Sequence, residues 1–133
     1  MMLIKNGRLV DPATGRDGKY DILIRAGKIA KVAANIEAPD EEVQIVDASG
    51  LVVAPGFVDV HVHFRDPGFT HKEDIFTGAA AAAAGGYTTV VLMANTKPCV
   101  DQIETLTYII DRAAQTDIHV LTCANVTKGM QGK

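Results

Sequence analysis

Tryptophan is absent from this 133-residue chain and aromatics make up only 5% of it. A core must therefore be built from aliphatic side chains and closely packed Ala and Gly, which suits α/β layers. Lys and Arg never gather into a run, and the formal net charge is −3. The electrostatic footprint of a nucleic-acid binder is missing, and that partner class is excluded. Cysteines number two, Cys99 and Cys123. They match neither a CxxC pair nor a disulfide framework, and their apolar, strand-like surroundings predict buried free thiols. No uniformly hydrophobic span occurs. The uncharged stretch from Ile75 to Thr96 is Ala-rich in its middle and is divided by Gly85-Gly86. A membrane segment needs a more uniformly hydrophobic stretch. The opening MMLI meets Lys5 before an apolar region develops, so no secretory leader is expected and a cytoplasmic location is.

What is present falls into two parts. Residues 1–55 read as a small β-rich domain with three turn signals: Asn6-Gly7, Ala26-Gly27 and Ser49-Gly50, each between apolar runs. Such dipeptides predict three hairpins. Ile22, Ile24, Ile29 and Val32 are core candidates, and the polar APDEE at 38–42 reads as an exposed loop. After Pro55-Gly56 the pattern becomes strand, helix, strand, helix, strand, the signature of a parallel sheet with crossover helices. The strands are GFVDVHVH, YTTVVLMAN and DIHVLTCAN. The helices are HKEDIFTGAAAAAAGG, with Lys72, Glu73 and Asp74 as a charged first turn, and VDQIETLTYIIDRAAQ. The second helix places Ile103, Leu106, Ile109, Ile110 and Ala113 on one face. No helix follows the third strand before VTKGMQGK, so residues 56–133 read as an interrupted array of about two and a half βα units.

The chemistry concentrates in DVHVHFRDPG, residues 59–68. Alternation along a strand puts His61 and His63 on one face, about 6.5 to 7 Å apart along the backbone. Imidazoles at that spacing either converge on one metal ion, for which zinc is well suited, or are two ordinary histidines. Asp59 shares the face as an orienting group or an edge residue. In parallel α/β folds reactive groups gather at the carboxyl ends of strands, and Pro67-Gly68 turns the chain just there. Arg65 carries a planar fork suited to gripping a carboxylate; the alternative is a salt bridge with neighbouring Asp66. Asn95, in MANTKP at the next strand end, either donates an amide to a bound anion or caps its own turn. His71 reads as exposed, His119 as a structural residue of a strand interior, and Ala124-Asn125 as a weak third strand end.

APGFVDVHVHFRDPG, HKEDIFTGAAAAAAGGYTTVV and MANTKP together resemble the N-terminal portion of a dihydroorotase, a cyclic amidohydrolase of the amidohydrolase superfamily. The match runs over essentially the whole chain, from KNGRLVDP to VTKG. Arg after the His-x-His-x pair is its specific part, and Ala94 departs from the family's usual proline. The resemblance implies the N-terminal part of a (β/α)8 TIM barrel preceded by a small β-rich flanking domain. It implies zinc, two ions in the complete enzyme, held in part by His61 and His63, and a substrate carboxylate clamped by Arg65 and Asn95. The implied reaction is the reversible interconversion of L-dihydroorotate and N-carbamoyl-L-aspartate in pyrimidine biosynthesis. The other metal ligands and the proton-transferring aspartate are expected beyond Lys133, so the 133 residues hold no catalytic acid or base and are not expected to turn over substrate unaided. The full-length protein is expected to form a homodimer or a complex with aspartate carbamoyltransferase. Two alternatives stand beside this reading. One is a sister hydrolase acting on hydantoins, dihydropyrimidines or allantoin; the other is a non-catalytic dihydroorotase-like partner of aspartate carbamoyltransferase.

Overall fold

In a computed structural model the described residues are 1–39 and 42–132. The polar loop expected at 38–42 lies partly outside them. Two compact units divide the chain, Met1–Pro55 and Gly56–Lys133.

The first unit is a β-sheet of β1 (Met2–Asp11), β2 (Arg16–Arg25), β3 (Lys28–Ala33), β4 (Gln44–Asp47) and β5 (Val52–Val53), in the order β3-β2-β1-β4 with β5 also beside β1. Leu3, Leu23 and Ile36 form its buried cluster, against which Met1, Ala33 and Val43 pack. Of the three expected hairpins, Ala26-Gly27 forms as read. Both residues take positive φ, 48° and 73°, and join the antiparallel pair β2–β3. Asn6-Gly7 is not a turn. β1 runs straight through it, and three steps of β1 (Ile4 to Gly7) face two of β2 (Ile22 to Tyr20), which is a bulge. Asn6 sits at φ 64°, its N–H donating to Asp21 Oδ1 at 2.9 Å and its amide to Asp47 Oδ1 at 3.1 Å. Gly7 is required there because a Cβ would lie 2.6 Å from Val53 Cγ2.

Ser49-Gly50 is not a hairpin turn either. β4 and β5 both lie parallel to β1, so the turn is a loop that leaves the edge of β1 and returns to it. The hairpin that the sequence reading passed over is at Asp11–Arg16, where Asp11 accepts from the Ala13 N–H and the Thr14 hydroxyl. Ile29 of β3, a core candidate, is 68% exposed.

The second unit is a parallel sheet, β6 (Phe57–Val62), β7 (Tyr87–Leu92) and β8 (His119–Thr122) in that order, with α1 (Ile75–Ala84) and α2 (Ile103–Ala113) as the connections. Its core is Phe64, Ile75, Ala79, Val90, Leu92, Val100, Ile109, Ala113 and Val120. Helix α1 starts one residue after its charged run, with Asp74 as N-cap rather than first-turn acid. Asp74 Oδ1 accepts the Thr77 N–H at 2.8 Å and Thr77 Oγ1 accepts the Asp74 N–H, a capping box. Gly86, at φ 83°, lets the chain reverse into β7. On α2, Ile109 and Ala113 are buried, but Ile103 and Ile110 are exposed. His119 is exposed at the start of β8, and Cys123 just beyond that strand is exposed too, while Cys99 is half-buried; both thiols are free. Neither residue is the interior one expected, because β8 pairs only with β7 among the described strands. No helix among the described residues is long and apolar enough to cross a membrane.

Candidate functional site

Strand β6 delivers the first site residues, and it does so through an irregularity. Three steps of β6 (Asp59 to Val62) face two of β7 (Val90 to Leu92), so the ladder slips beneath the histidines. A bulge frees a backbone N–H and re-aims side chains. The Asp59 carboxylate takes up the freed group, accepting the His61 N–H at 3.0 Å. Asp59 thus braces the backbone rather than an imidazole. The rings of His61 and His63 end side by side on the exposed end of the strand, their centroids 5.3 Å apart and their planes tilted by 59°.

Beyond His63 the chain is pinned residue by residue. Phe64 is buried against Gly78 of α1, where a Cβ would lie 2.5 Å from Phe64 Cδ1. Arg65 takes the left-handed backbone region, at φ 62°. Asp66 is fully buried and accepts from the Ile75 N–H at 3.3 Å, the Tyr108 hydroxyl at 2.9 Å and Arg112 Nε at 3.0 Å. The Asp66-Pro67 and Lys97-Pro98 peptide bonds are both cis. At Gly68, φ 98°, the two strand-end loops meet: a Cβ would sit 2.1 Å from the Lys97 carbonyl oxygen, and the Lys97 N–H donates to Pro67 O at 3.0 Å. The loop carrying Arg65 and the loop carrying Asn95 are therefore one connected rim.

The salt-bridge alternative for Arg65 fails. The partner of Asp66 is Arg112, and the Arg65 guanidinium has no hydrogen bond or ion pair among the described residues. Asn95 does not cap its own turn with its side chain; its Oδ1 faces His63 Nδ1 at 3.0 Å. The tautomer with its proton on Nδ1 makes this contact a hydrogen bond to the amide oxygen and leaves Nε2 its lone pair. The Asn95 amide nitrogen stays available as a donor on the same rim as Arg65. An open cleft of about 490 Å³ adjoins these residues, lined by Asp59, His63, Arg65, Lys72 and Glu73 among others.

The donor set fits part of a metal site. Two neighbouring imidazoles, one with Nε2 freed by a carbonyl on its far nitrogen, suit a borderline-soft divalent ion such as zinc. Among the described residues no group of three His, Cys, Asp or Glu side chains is placed to hold an ion. His71 and His119 are not brought to this rim in any contact described.

Three sets of contacts go beyond the sequence reading, which took Lys72 and Glu73 as a charged first turn and Asn125 as a weak strand end. Lys72 and Glu73 line the cleft as well as preceding the helix. Tyr108 and Arg112 reach Asp66; their i, i+4 spacing places them on one face of α2 and was the available signal. Asn125, just past β8, donates its N–H to Val100 O at 2.7 Å, while its Nδ2 is buried without a partner among the described residues.

Comparison with known proteins returned a family model described as dihydro-orotase-like, matching residues 50–133. A dihydroorotase of Clostridium acetobutylicum is 54% identical over 132 residues, 99% of this chain and 31% of that protein. A dihydroorotase of Streptococcus thermophilus is 56% identical over 133 residues, again 31% of its length. The chain thus spans about a third of the curated relatives it matches. Among solved structures, an L-hydantoinase (dihydropyrimidinase) from Arthrobacter aurescens superposes with TM-score 0.79 at 26% identity, over 96% of this chain and 28% of that one.

Proposed function

This chain belongs to the dihydro-orotase-like family, and on that premise we propose that it supplies the first strand-end residues of a zinc-dependent dihydroorotase. By this reading β6, β7 and β8 open a (β/α)8 barrel, and residues 1–55 are part of a flanking β-domain. The reaction is the reversible ring opening of L-dihydroorotate to N-carbamoyl-L-aspartate, in the cytoplasm. The remaining metal ligands and the proton-transferring acid are assigned to the part of the relatives' length that this chain does not span. The homodimer or the complex with aspartate carbamoyltransferase is an expectation for the whole protein.

One observation carries the substrate assignment: an Arg65 guanidinium with no partner among the described residues, lining one cleft with His63 on a loop joined to the one that carries Asn95. A guanidinium left without a protein partner at a strand end is a receptor for an anion, and its planar fork matches a carboxylate. Dihydroorotate carries that carboxylate; hydantoin and dihydrouracil rings do not. His61 and His63 would hold the metal, with Asn95 fixing the tautomer of His63. When bound, zinc supplies a Lewis acid and lowers the pKa of water to near 7. The part of Arg65 is to fix one end of the substrate so that its amide is presented at the histidines, which replaces a search in solution by a held geometry.

The test is Arg65→Leu in the intact protein. Its kcat/KM on dihydroorotate should fall by about a hundredfold or more, with zinc content unchanged. Turnover within a fewfold of the parent enzyme removes the carboxylate clamp. Faster turnover of dihydrouracil or hydantoin than of dihydroorotate by the parent protein moves the assignment to the sister hydrolases. A folded parent protein free of zinc points instead to the non-catalytic partner.

A further inference from the structure

Arg65 presents a puzzle that the clamp alone leaves open. Its side chain has no hydrogen-bond or ion-pair partner among the described residues, yet its backbone sits at φ 62°, a conformation uncommon and costly for a residue with a Cβ. Such a conformation persists when the surroundings over-determine it. On the N-terminal side the constraint is Phe64, wedged on Gly78. On the C-terminal side it is Asp66, whose carboxylate is 0% exposed and engaged by three donors from both helices.

Two of those donors are long-range. Tyr108 lies 42 residues away and Arg112 lies 46 residues away, both on α2. Arg112 is itself held, stacked over the Phe76 ring at 4.5 Å and the Tyr108 ring at 5.3 Å. Its side chain is 29% exposed, so the ion pair with Asp66 is sheltered on both sides. Neither Tyr108 nor Arg112 lines the cleft.

We propose that Asp66, gripped by Tyr108 and Arg112, is the positioning group that holds the Arg65 backbone in its left-handed turn and so aims the guanidinium at the substrate carboxylate. The proposal rests on the carboxylate-clamp reading above. It makes α2 residues that touch no substrate determinants of carboxylate recognition. Asp66 Oδ1 and Oδ2 are each fixed from a different direction, by the α2 hydroxyl on one side and by Arg112 with the start of α1 on the other. The peptide that joins Arg65 to Asp66 is held from both ends, by these contacts of Asp66 and by the Phe69 N–H, which donates to the Arg65 carbonyl at 2.8 Å.

A double-mutant cycle in the intact protein separates positioning from general support. Arg112→Gln, Tyr108→Phe and Arg65→Met are made singly, and each α2 variant is combined with Arg65→Met. The measured quantity is kcat/KM for L-dihydroorotate. Arg112→Gln alone should lower it by roughly tenfold and Tyr108→Phe by a fewfold, since a displacement of about 1 Å costs up to about a hundredfold. In the Arg65→Met background neither substitution should cost anything further, because the group they aim is gone. Losses that multiply in the double variants assign the α2 pair to fold maintenance and overturn the proposal. Single α2 variants with parental kcat/KM overturn it as well. Near-parental activity of Arg65→Met overturns the clamp, and the positioning role falls with it. If Arg112→Gln fails to fold, the Tyr108→Phe arm, which keeps the ring and removes one hydroxyl, decides alone.

Discussion

Replacing Gly78 by Ala tests whether the helix behind the rim sets the position of the site. By backbone propensity the change should help, since Ala in a helix interior is favoured over Gly by about 1 kcal/mol. The packing opposes it. An added Cβ would stand 2.5 Å from Phe64 Cδ1 and 2.7 Å from Cε1 and Cγ, against an ordinary carbon–carbon separation of about 3.5 to 4.0 Å. The ring must retreat by about 1 Å, and it is only 8% exposed in a core with Ile75, Ala79 and Val90. Overpacking of that kind costs about 1 to 3 kcal/mol, leaving a net loss of about 1 kcal/mol. The functional cost should be larger than the thermodynamic one. Phe64 lies between His63 and Arg65 in the chain, so its retreat displaces both, and about 1 Å of misplacement is enough for a loss of up to roughly a hundredfold in rate. Urea unfolding gives the stability change, and kcat/KM on dihydroorotate gives the other. A Gly78→Ala protein that is more stable than the parent and equally active refutes the reasoning, because the helix would then tolerate the methyl without moving the rim.

Other perturbations bear on separate contacts. Gly68→Ala places a Cβ against the Lys97 carbonyl at a positive φ, so it should part the two loops and lower activity and stability together; a silent substitution by both measures contradicts the joined rim. Asn95→Leu should weaken zinc retention by about tenfold to a hundredfold, as loss of a ligand-orienting partner does; chelator competition monitored by metal analysis reads it directly. In the first unit, burial acts to raise the Asp21 carboxyl, but the Asn6 and Ile36 N–H groups and the Lys5 ammonium outweigh it and the pKa is lowered. A carboxyl depressed on folding contributes stability that is present above its unfolded value, near 3.8, and is lost as pH falls through the folded one. Asp21→Asn should therefore cost about 1 to 3 kcal/mol at neutral pH and flatten the stability profile below about pH 4; an unchanged acid limb counts against it.

What could be read from the sequence was local. The β6–α1–β7–α2–β8 order follows from apolar runs and from Gly85-Gly86, and the histidine pair follows from alternation with a turn behind it. The Ala26-Gly27 hairpin needs only its own two residues. Asn6-Gly7 looks the same on paper, yet it is a bulge because Val53 crowds Gly7 and because Asp21 and Asp47 hold Asn6 from 15 and 41 residues away. Ser49-Gly50 was misread for a related reason: whether a turn reverses the chain depends on which strand the next segment pairs with, and here both segments pair with β1. Asp66 reads as a loop acid, and its burial is decided by Tyr108 and Arg112 on a distant helix. The surroundings of Asn95 were half legible. A strand-end amide is a recognisable donor, but its contact with His63 crosses 32 residues and depends on the pairing of β6 with β7.

The most direct test of the central claim is a comparison of kcat/KM on L-dihydroorotate and on dihydrouracil, the same ring without its carboxylate, using the intact protein as its cell makes it, with its metal content measured alongside. If Arg65 and Asn95 hold the substrate carboxylate as proposed, the carboxylated ring is preferred by about a hundredfold or more, because a site built to pair an anion is left unsatisfied by its neutral analogue. Equal turnover of the two, or a preference for dihydrouracil, contradicts the carboxylate clamp and with it the assignment as a dihydroorotase.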